Sequence, residues 1–275
     1  MSPPDIDVDA YFARIGYDGP RTPTLETLAA LHFRHPQAIP FENLDPLLKR
    51  PIGLTGSALE SKLLRARRGG WCFEQNLLLR DVLQSLGFQV IGLAARVMWN
   101  VAEGVVRARS HMLLKIDGLD GGPHIADVGF GGLTLTGAVR LVPDMEQPTP
   151  HEVFRLIRGG SDFVLQASVR GEWKALYTFD LQPQLLVDYE VSNWHLSTHP
   201  ESPFVSNLMA ARVTPERRYG LFNNKLSSHA LGGDSEQVAL ATPTALREAL
   251  EGTFGIELPD DPGIEALLER LSTRT

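Results

Sequence analysis

Cys72 is the only cysteine in the chain, and it stands in Arg68-Gly69-Gly70-Trp71-Cys72-Phe73-Glu74-Gln75-Asn76. Two glycines allow a tight turn just before it, and a leucine-rich helical pattern starts just after it, so the thiol falls at the first turn of a helix. There the positive end of the helix dipole and the unpaired backbone N–H groups favour thiolate over thiol, and the thiolate is the reactive form. A nucleophilic cysteine needs an imidazole to take its proton and a third group to hold that imidazole. Of the eight histidines, His111 opens the apolar run 110–116, where a rigid strand would aim it. Asp127 sits in the otherwise apolar run 125–128, where an unpaired charge would be costly, so it calls for a partner. The turn at 118–123 makes the two runs candidate antiparallel neighbours, which would set His111 and Asp127 side by side. Each residue type also occurs in plain packing: cysteine as a small buried apolar group, histidine as a hydrogen-bonded core residue, aspartate as a strand-end cap.

The elements that must carry these residues change character along the chain. The first part reads as helical. Thr22-Pro23 marks a helix start with Pro at the first position, and Leu25, Leu28 and Leu31 fall near one face. Ser57 and Glu60 form a capping-box pattern ahead of Leu59, Leu63 and Leu64, with Gly69 as the stop. A third helix spans 72–86 and ends at Gly87, so Cys72 would lie within a small bundle. From Phe88 the pattern turns to strands at 88–99, 112–116, 125–128, 154–157, 163–169 and 173–179, several of them parted by glycine turn signals. Five or six antiparallel strands at that spacing predict a small barrel or strongly curved sheet. A linker-like stretch at 198–203 precedes short strands near 211–214 and 238–241, a helix after Thr242-Pro243 and another over 264–271. The predicted architecture is α+β: a helical domain over 1–87 carrying Cys72, an antiparallel β-barrel domain over 88–197 carrying His111 and Asp127, and an α/β lid over 198–275.

Composition bounds the partners. The 275 residues are 43% hydrophobic and 21% charged, the balance of an ordinary globular protein, with length enough for a real core. A net charge of −7 and the lack of a long basic run argue against nucleic acid and against anionic membranes. The small cluster Arg65, Arg67 and Arg68 reads as a solvated helix end. No apolar signal core follows Met1, no run is long enough to span a bilayer, and a single cysteine suits a reducing, cytoplasmic setting. No zinc-ligand spacing, Walker-type loop or GxGxxG loop is present, and neither a metal nor a prosthetic group is expected.

Four stretches, in order, carry a resemblance: Ile39-Pro40-Phe41-Glu42-Asn43-Leu44, the nine residues from Arg68 to Asn76, Ser110-His111-Met112-Leu113-Leu114, and Asp127-Val128-Gly129-Phe130-Gly131. With Ser197-Thr198-His199-Pro200, Ser202 and Phe204, they make the chain similar to the bacterial arylamine N-acetyltransferases over nearly its whole length. Gln75 stands where many members have histidine, and Ser110 where threonine is frequent. The resemblance implies a cysteine-protease-like catalytic core with Cys72 as nucleophile, His111 as base and Asp127 as orienter. It implies ping-pong transfer of acetyl from acetyl-coenzyme A to aromatic amines and hydrazines, with O-acetylation of N-hydroxyarylamines as an extension. It also implies Phe41, Phe130 and Phe204 as substrate contacts, Gly129 and Gly131 as points of close approach for the coenzyme pyrophosphate, and a Glu42–Arg68 ion pair beneath the site. Core packing, a plain turn and solvated charges are the ordinary alternatives for those groups. A papain-like or transglutaminase-like thiol hydrolase uses the same triad order, although the papain signature is missing around Cys72. A binding module with an inert cysteine is the non-enzymatic reading. A monomer or homodimer is expected.

Overall fold

In a computed structural model, which describes residues 6–102 and 104–274, the chain opens with helices α1 (Val8–Ile15) and α2 (Leu25–Ala38), the short strand β1 (Phe41–Glu42) and helices α3 (Leu44–Leu47) and α4 (Gly56–Leu59). α4 widens into a π-helical turn over Glu60–Arg65, and α5 (Cys72–Ser85) follows after a short connection. α2 starts later than Thr22-Pro23 predicts, because the Thr24 hydroxyl takes the capping role and accepts the Thr27 N–H at 3.2 Å. Likewise α4 is capped by Thr55 rather than Ser57, and Glu60 instead receives the Asp7 N–H and pairs with Arg65. The helical segment stops at Ala66, before Gly69. Gly69 is needed for contact: a Cβ there would lie 2.3 Å from the Pro40 carbonyl.

Strands β2 (Gln89–Val97), β3 (Arg109–Asp117), β4 (His124–Ala126), β5 (Val139–Arg140), β6 (Gln147–Pro148), β7 (Val153–Gly159), β8 (Asp162–Val169) and β9 (Glu172–Phe179) form one antiparallel sheet of eight strands in the order β5-β4-β3-β2-β9-β8-β7-β6. This nearly closed barrel has two or three more strands than the five or six predicted. β5 and β6 are two residues long, too short for an alternation to register. Alternation on β7 and β8 sends Phe154, Leu156, Phe163 and Leu165 into one core with Leu93, Leu113 and Ile125.

The stretch predicted as a linker, 198–203, is the turn of four residues, 199–202, that joins helix α6 (Leu186–Thr198) to α7 (Pro203–Ser206). α6 turns a narrow stripe of Leu186, Tyr189, Asn193 and Leu196 inward, but Val187, Val191 and Trp194 are exposed, so its apolar residues follow no clear period. The chain then builds β10 (Met209–Val213), β11 (Arg217–Phe222), β12 (Lys225–Ala230) and β13 (Ser235–Ala239), where two strands are predicted, and ends in α8 (Pro243–Glu248), a π-helical turn and α9 (Ile264–Ser272). β1 joins this second sheet, in the order β1-β10-β11-β12-β13, through the pair Phe41↔Ala211. Leu44 and Leu47 pack into the core of α8 and α9. No helix among the described residues is long and apolar enough to cross a membrane.

Candidate active site

Cys72 is the first residue of α5. The helix starts there because the Glu74 carboxylate, one turn in, accepts the Trp71 N–H at 3.1 Å. The preceding turn is fixed from two sides. Gln75 donates to the carbonyls of Ile39, Pro40 and Gly70, and its own oxygen takes a 2.6 Å hydrogen bond from His35. On the other side lies a buried ionic cluster. Arg68 pairs with Glu42 at 2.6 Å and with Asp45 at 3.1 Å, and Lys62 bridges Asp45 and Glu74 at 2.7 Å each. The Glu42–Arg68 pair implied by the resemblance is thus present. Arg68 departs from the solvated reading given to its cluster, because its guanidinium is buried against carboxylates while Arg65 and Arg67 are exposed.

His111 lies near the start of β3, opposite Ala95 on β2, where the register slips between Ala95 and Arg96. The slip leaves Ser110 as the extra residue of a bulge, a feature that re-aims side chains beside functional sites. Asp127 lies just past the end of β4, and the β3–β4 register pairs Leu114 with Ala126 and Ile116 with His124. Extended, that register sets Gly129 rather than Asp127 opposite His111. The carboxylate therefore reaches the ring diagonally, with His111 Nε2 to Asp127 Oδ2 at 2.7 Å. The Cys72 sulfur acts on the same imidazole through its charge, and it lies 3.8 Å from the carbonyl of Ser110, the residue before His111.

Asp127 is fully buried, and its second oxygen accepts from Asn76 Nδ2 at 3.0 Å and from the Gly129 N–H at 2.9 Å. Burial alone would raise its pKa, but the His111 charge and these hydrogen bonds hold it below the ordinary carboxylate range. For His111, burial pulls downward and the Asp127 charge, with its hydrogen bond and the charge of Cys72, overrides it, so the ring is pushed up to about 10. The site therefore holds a protonated imidazole between a carboxylate and a sulfur at neutral pH.

Cys72 and His111 both line a cavity of about 2260 Å³, and Phe41, Phe130 and Phe204 line it too. Phe130 meets the His111 ring edge-on at 5.1 Å, and Phe204 meets Trp71 edge-on at 5.3 Å. Gly129 and Gly131 border the same space. Gly129 has a further reason to be glycine: a Cβ would lie 2.7 Å from the Cys72 Cα. Gly131 has φ +85°, a left-handed conformation that suits glycine.

A family model described as N-acetyltransferase matches residues 24–262. The chain is 44% identical over 262 residues to the arylamine N-acetyltransferase of Mycolicibacterium smegmatis, covering 94% of each. The chain belongs to the arylamine N-acetyltransferase family. Within it, the chain is 40% identical to the arylamine N-acetyltransferase / N-hydroxyarylamine O-acetyltransferase of Salmonella typhimurium, over 91% of this chain and 89% of that one. It superposes with a TM-score of 0.92 on the Mycobacterium marinum arylamine N-acetyltransferase in complex with CoA, at 40% identity and with 96% and 99% of the two chains covered.

Several side chains that hold the site of this family member escape sequence reasoning. Asn76 Nδ2 donates to the Met112 carbonyl at 2.8 Å as well as to Asp127, and its oxygen accepts the Val128 N–H at 3.1 Å. It therefore joins α5, the helix of Cys72, to the strand of His111 and the loop of Asp127. His32 Nε2 accepts the Asp127 N–H at 3.1 Å, and Asn193 on α6 accepts the Trp71 indole N–H at 3.1 Å. Asn76 had a signal, since it closes the Arg68-to-Asn76 stretch. His32 and Asn193 had none, because their partners are 95 and 122 residues away.

Proposed function

We propose that the protein transfers acetyl from acetyl-coenzyme A to the nitrogen of arylamines and arylhydrazines through an acetyl-Cys72 intermediate. The observation that carries the reading is the meeting of Cys72 and His111 at one cavity wall, with the Asp127 carboxylate 2.7 Å behind the imidazole, in a chain of this family. Cys72 is the nucleophile, His111 holds and returns the proton, and Asp127 orients the ring. In the first half-reaction the sulfur attacks the thioester carbonyl, the sulfur–acetyl bond to Cys72 forms, and the coenzyme thiolate leaves and takes a proton from the imidazolium. One thioester replaces another, so this step is nearly balanced in free energy. In the second, the amine attacks acetyl-Cys72, His111 removes its proton, and the Cys72 sulfur is released. Arylamines and hydrazines suit this step because they stay unprotonated near pH 7, whereas an alkylamine with a pKa near that of lysine would be ammonium.

Negative charge developing on the acetyl oxygen is met by N–H groups of the first turn of α5, which have no intrahelical partner. One such donor is worth about 3 kcal/mol. Phe41, Phe130 and Phe204 form the apolar wall for the aryl group, Gly129 and Gly131 border the coenzyme arm, and the C-terminal segment, 198–275, acts as a lid. O-acetylation of N-hydroxyarylamines belongs to the same reading, supported by the activity for which the Salmonella relative is named. A reducing cytoplasm suits a free catalytic thiol.

Brief exposure to acetyl-coenzyme A without amine tests the proposal by intact mass. One acetyl group on Cys72, discharged on adding an arylamine, is expected. Folded protein that gains no acetyl group would overturn it. Cys72→Ser should keep the fold and lose the adduct, since a serine hydroxyl is far less acidic.

A further inference from the structure

One cation of the C-terminal sheet reaches the loop that carries Asp127 and Phe130. Arg218 on β11 is buried at 4% exposure. Its Nε donates to one Glu152 carboxylate oxygen at 2.8 Å, and Nη2 donates to the other. The same guanidinium donates from Nη2 to the Thr134 carbonyl at 3.0 Å and from Nη1 to the Gly132 carbonyl at 3.3 Å. Thr134 in turn closes the loop on itself. Its hydroxyl donates to the Asp127 carbonyl at 3.0 Å and accepts the Phe130 N–H at 3.3 Å. Two sets of hydrogen bonds thus meet at Thr134, one from the second sheet to its backbone carbonyl and one from its hydroxyl to the backbone of Asp127 and Phe130, the residues that touch His111. A planar fork that grips a carboxylate and two carbonyls at once fixes position as well as charge.

We infer that Arg218 is a positioning residue of the acetyl transfer: through Thr134 it sets Asp127 and Phe130 against His111, and so ties the C-terminal sheet to the chemistry. The inference rests on the reading of Asp127 as the orienter of His111. An ion pair that only anchored the sheet would affect stability, without moving the rate of Cys72 acylation or the KM for the amine in folded protein.

Both are measured for Arg218→Gln, Arg218→Lys and Thr134→Val, at a temperature where each is folded by circular dichroism. Arg218→Gln and Thr134→Val should each slow acylation by about tenfold, the scale of a supporting group displaced from a reacting one, and raise the amine KM several-fold. Arg218→Lys keeps a charge for Glu152 but lacks the fork. It should recover much of the thermal midpoint lost in Arg218→Gln without recovering the acylation rate. The double variant Arg218→Gln/Thr134→Val should be little worse than either single one, because both act through one loop. If Arg218→Gln does not fold, Thr134→Val and Arg218→Lys carry the same test. Wild-type acylation and KM in the folded variants, or additive losses in the double variant, overturn the inference. A wild-type enzyme that cannot be acetylated would instead overturn the function proposed above.

Discussion

At the scale of single residues, the site depends on one imbalance. A ring as buried as His111 should be hard to protonate, yet the Asp127 charge 2.7 Å away outweighs burial and holds the proton on it. Asp127→Asn removes the charge and leaves burial unopposed. The ring pKa in that variant is expected below the ordinary 6.5, as an NMR titration of His111 would read. Turnover should fall by about three to four orders of magnitude, as in a serine triad whose carboxylate becomes an amide. A variant that kept both the high pKa and its rate would remove Asp127 from the mechanism. Gln75, the main departure from the family pattern, is also explained at this scale. Three carbonyls take its amide and His35 donates to its oxygen, so it locks the turn before Cys72.

At the scale of elements, the question is how three separate segments stay in register to a fraction of an ångström. α5 packs so closely on the Asp127 loop that Gly129 has no room for a methyl group, with the Cys72 Cα 2.7 Å from its position. Gly129→Ala should push the loop off the helix, cost about 1–3 kcal/mol of stability and slow Cys72 acylation, as seen by urea unfolding and stopped mass measurements. An alanine variant with native stability and rate would mean the loop yields freely. Beneath the same turn, Lys62 serves two buried carboxylates at once. Lys62→Met strips both of a partner and should cost about 3–5 kcal/mol in urea unfolding, because an uncompensated buried charge is left behind. Glu74→Gln leaves Lys62 paired with Asp45 and should cost less.

At the scale of the whole molecule, buried histidines shape the response to pH. Burial drives His32 down to about 4 and His35 down to about 3, so both are neutral in the folded state. Between those values and the unfolded 6.5, the unfolded chain binds more protons, and stability rises with pH by up to about 1.4 kcal/mol per unit for each ring. His111 acts in the opposite sense. Its folded pKa of about 10 lies above the unfolded value, so its contribution is complete below 6.5 and is lost as pH rises through 10. Glu74 and Asp81, lifted by burial, oppose the acid limb. Urea unfolding between pH 4.5 and 9 should therefore give a dome, and His35→Gln should flatten its acid side by about one proton. An acid side equally steep in that variant would show that His35 does not titrate on unfolding.

The candidate site residues were legible locally, while the chemistry was read from the ordered family stretches. A thiol after two glycines and ahead of a leucine-rich helix, a histidine opening an apolar run and an aspartate in the next one are short-range signals, because helix starts and strand alternation are decided by neighbours in the chain. The barrel was legible in outline for the same reason, since its long strands alternate. Tertiary structure alone decided the rest. β5 and β6 exist because a neighbouring strand pairs with them, and α6 exists although Val187, Val191 and Trp194 face outward. Arg68 is buried because Glu42 and Asp45 wait for it from another segment, and Asp127 meets His111 diagonally because the β3–β4 register, extended, sets Gly129 opposite His111. Hydrogen bonds that span 95 or 122 residues leave no trace in local pattern: nothing near His32 or Asn193 records which distant backbone or ring it will hold.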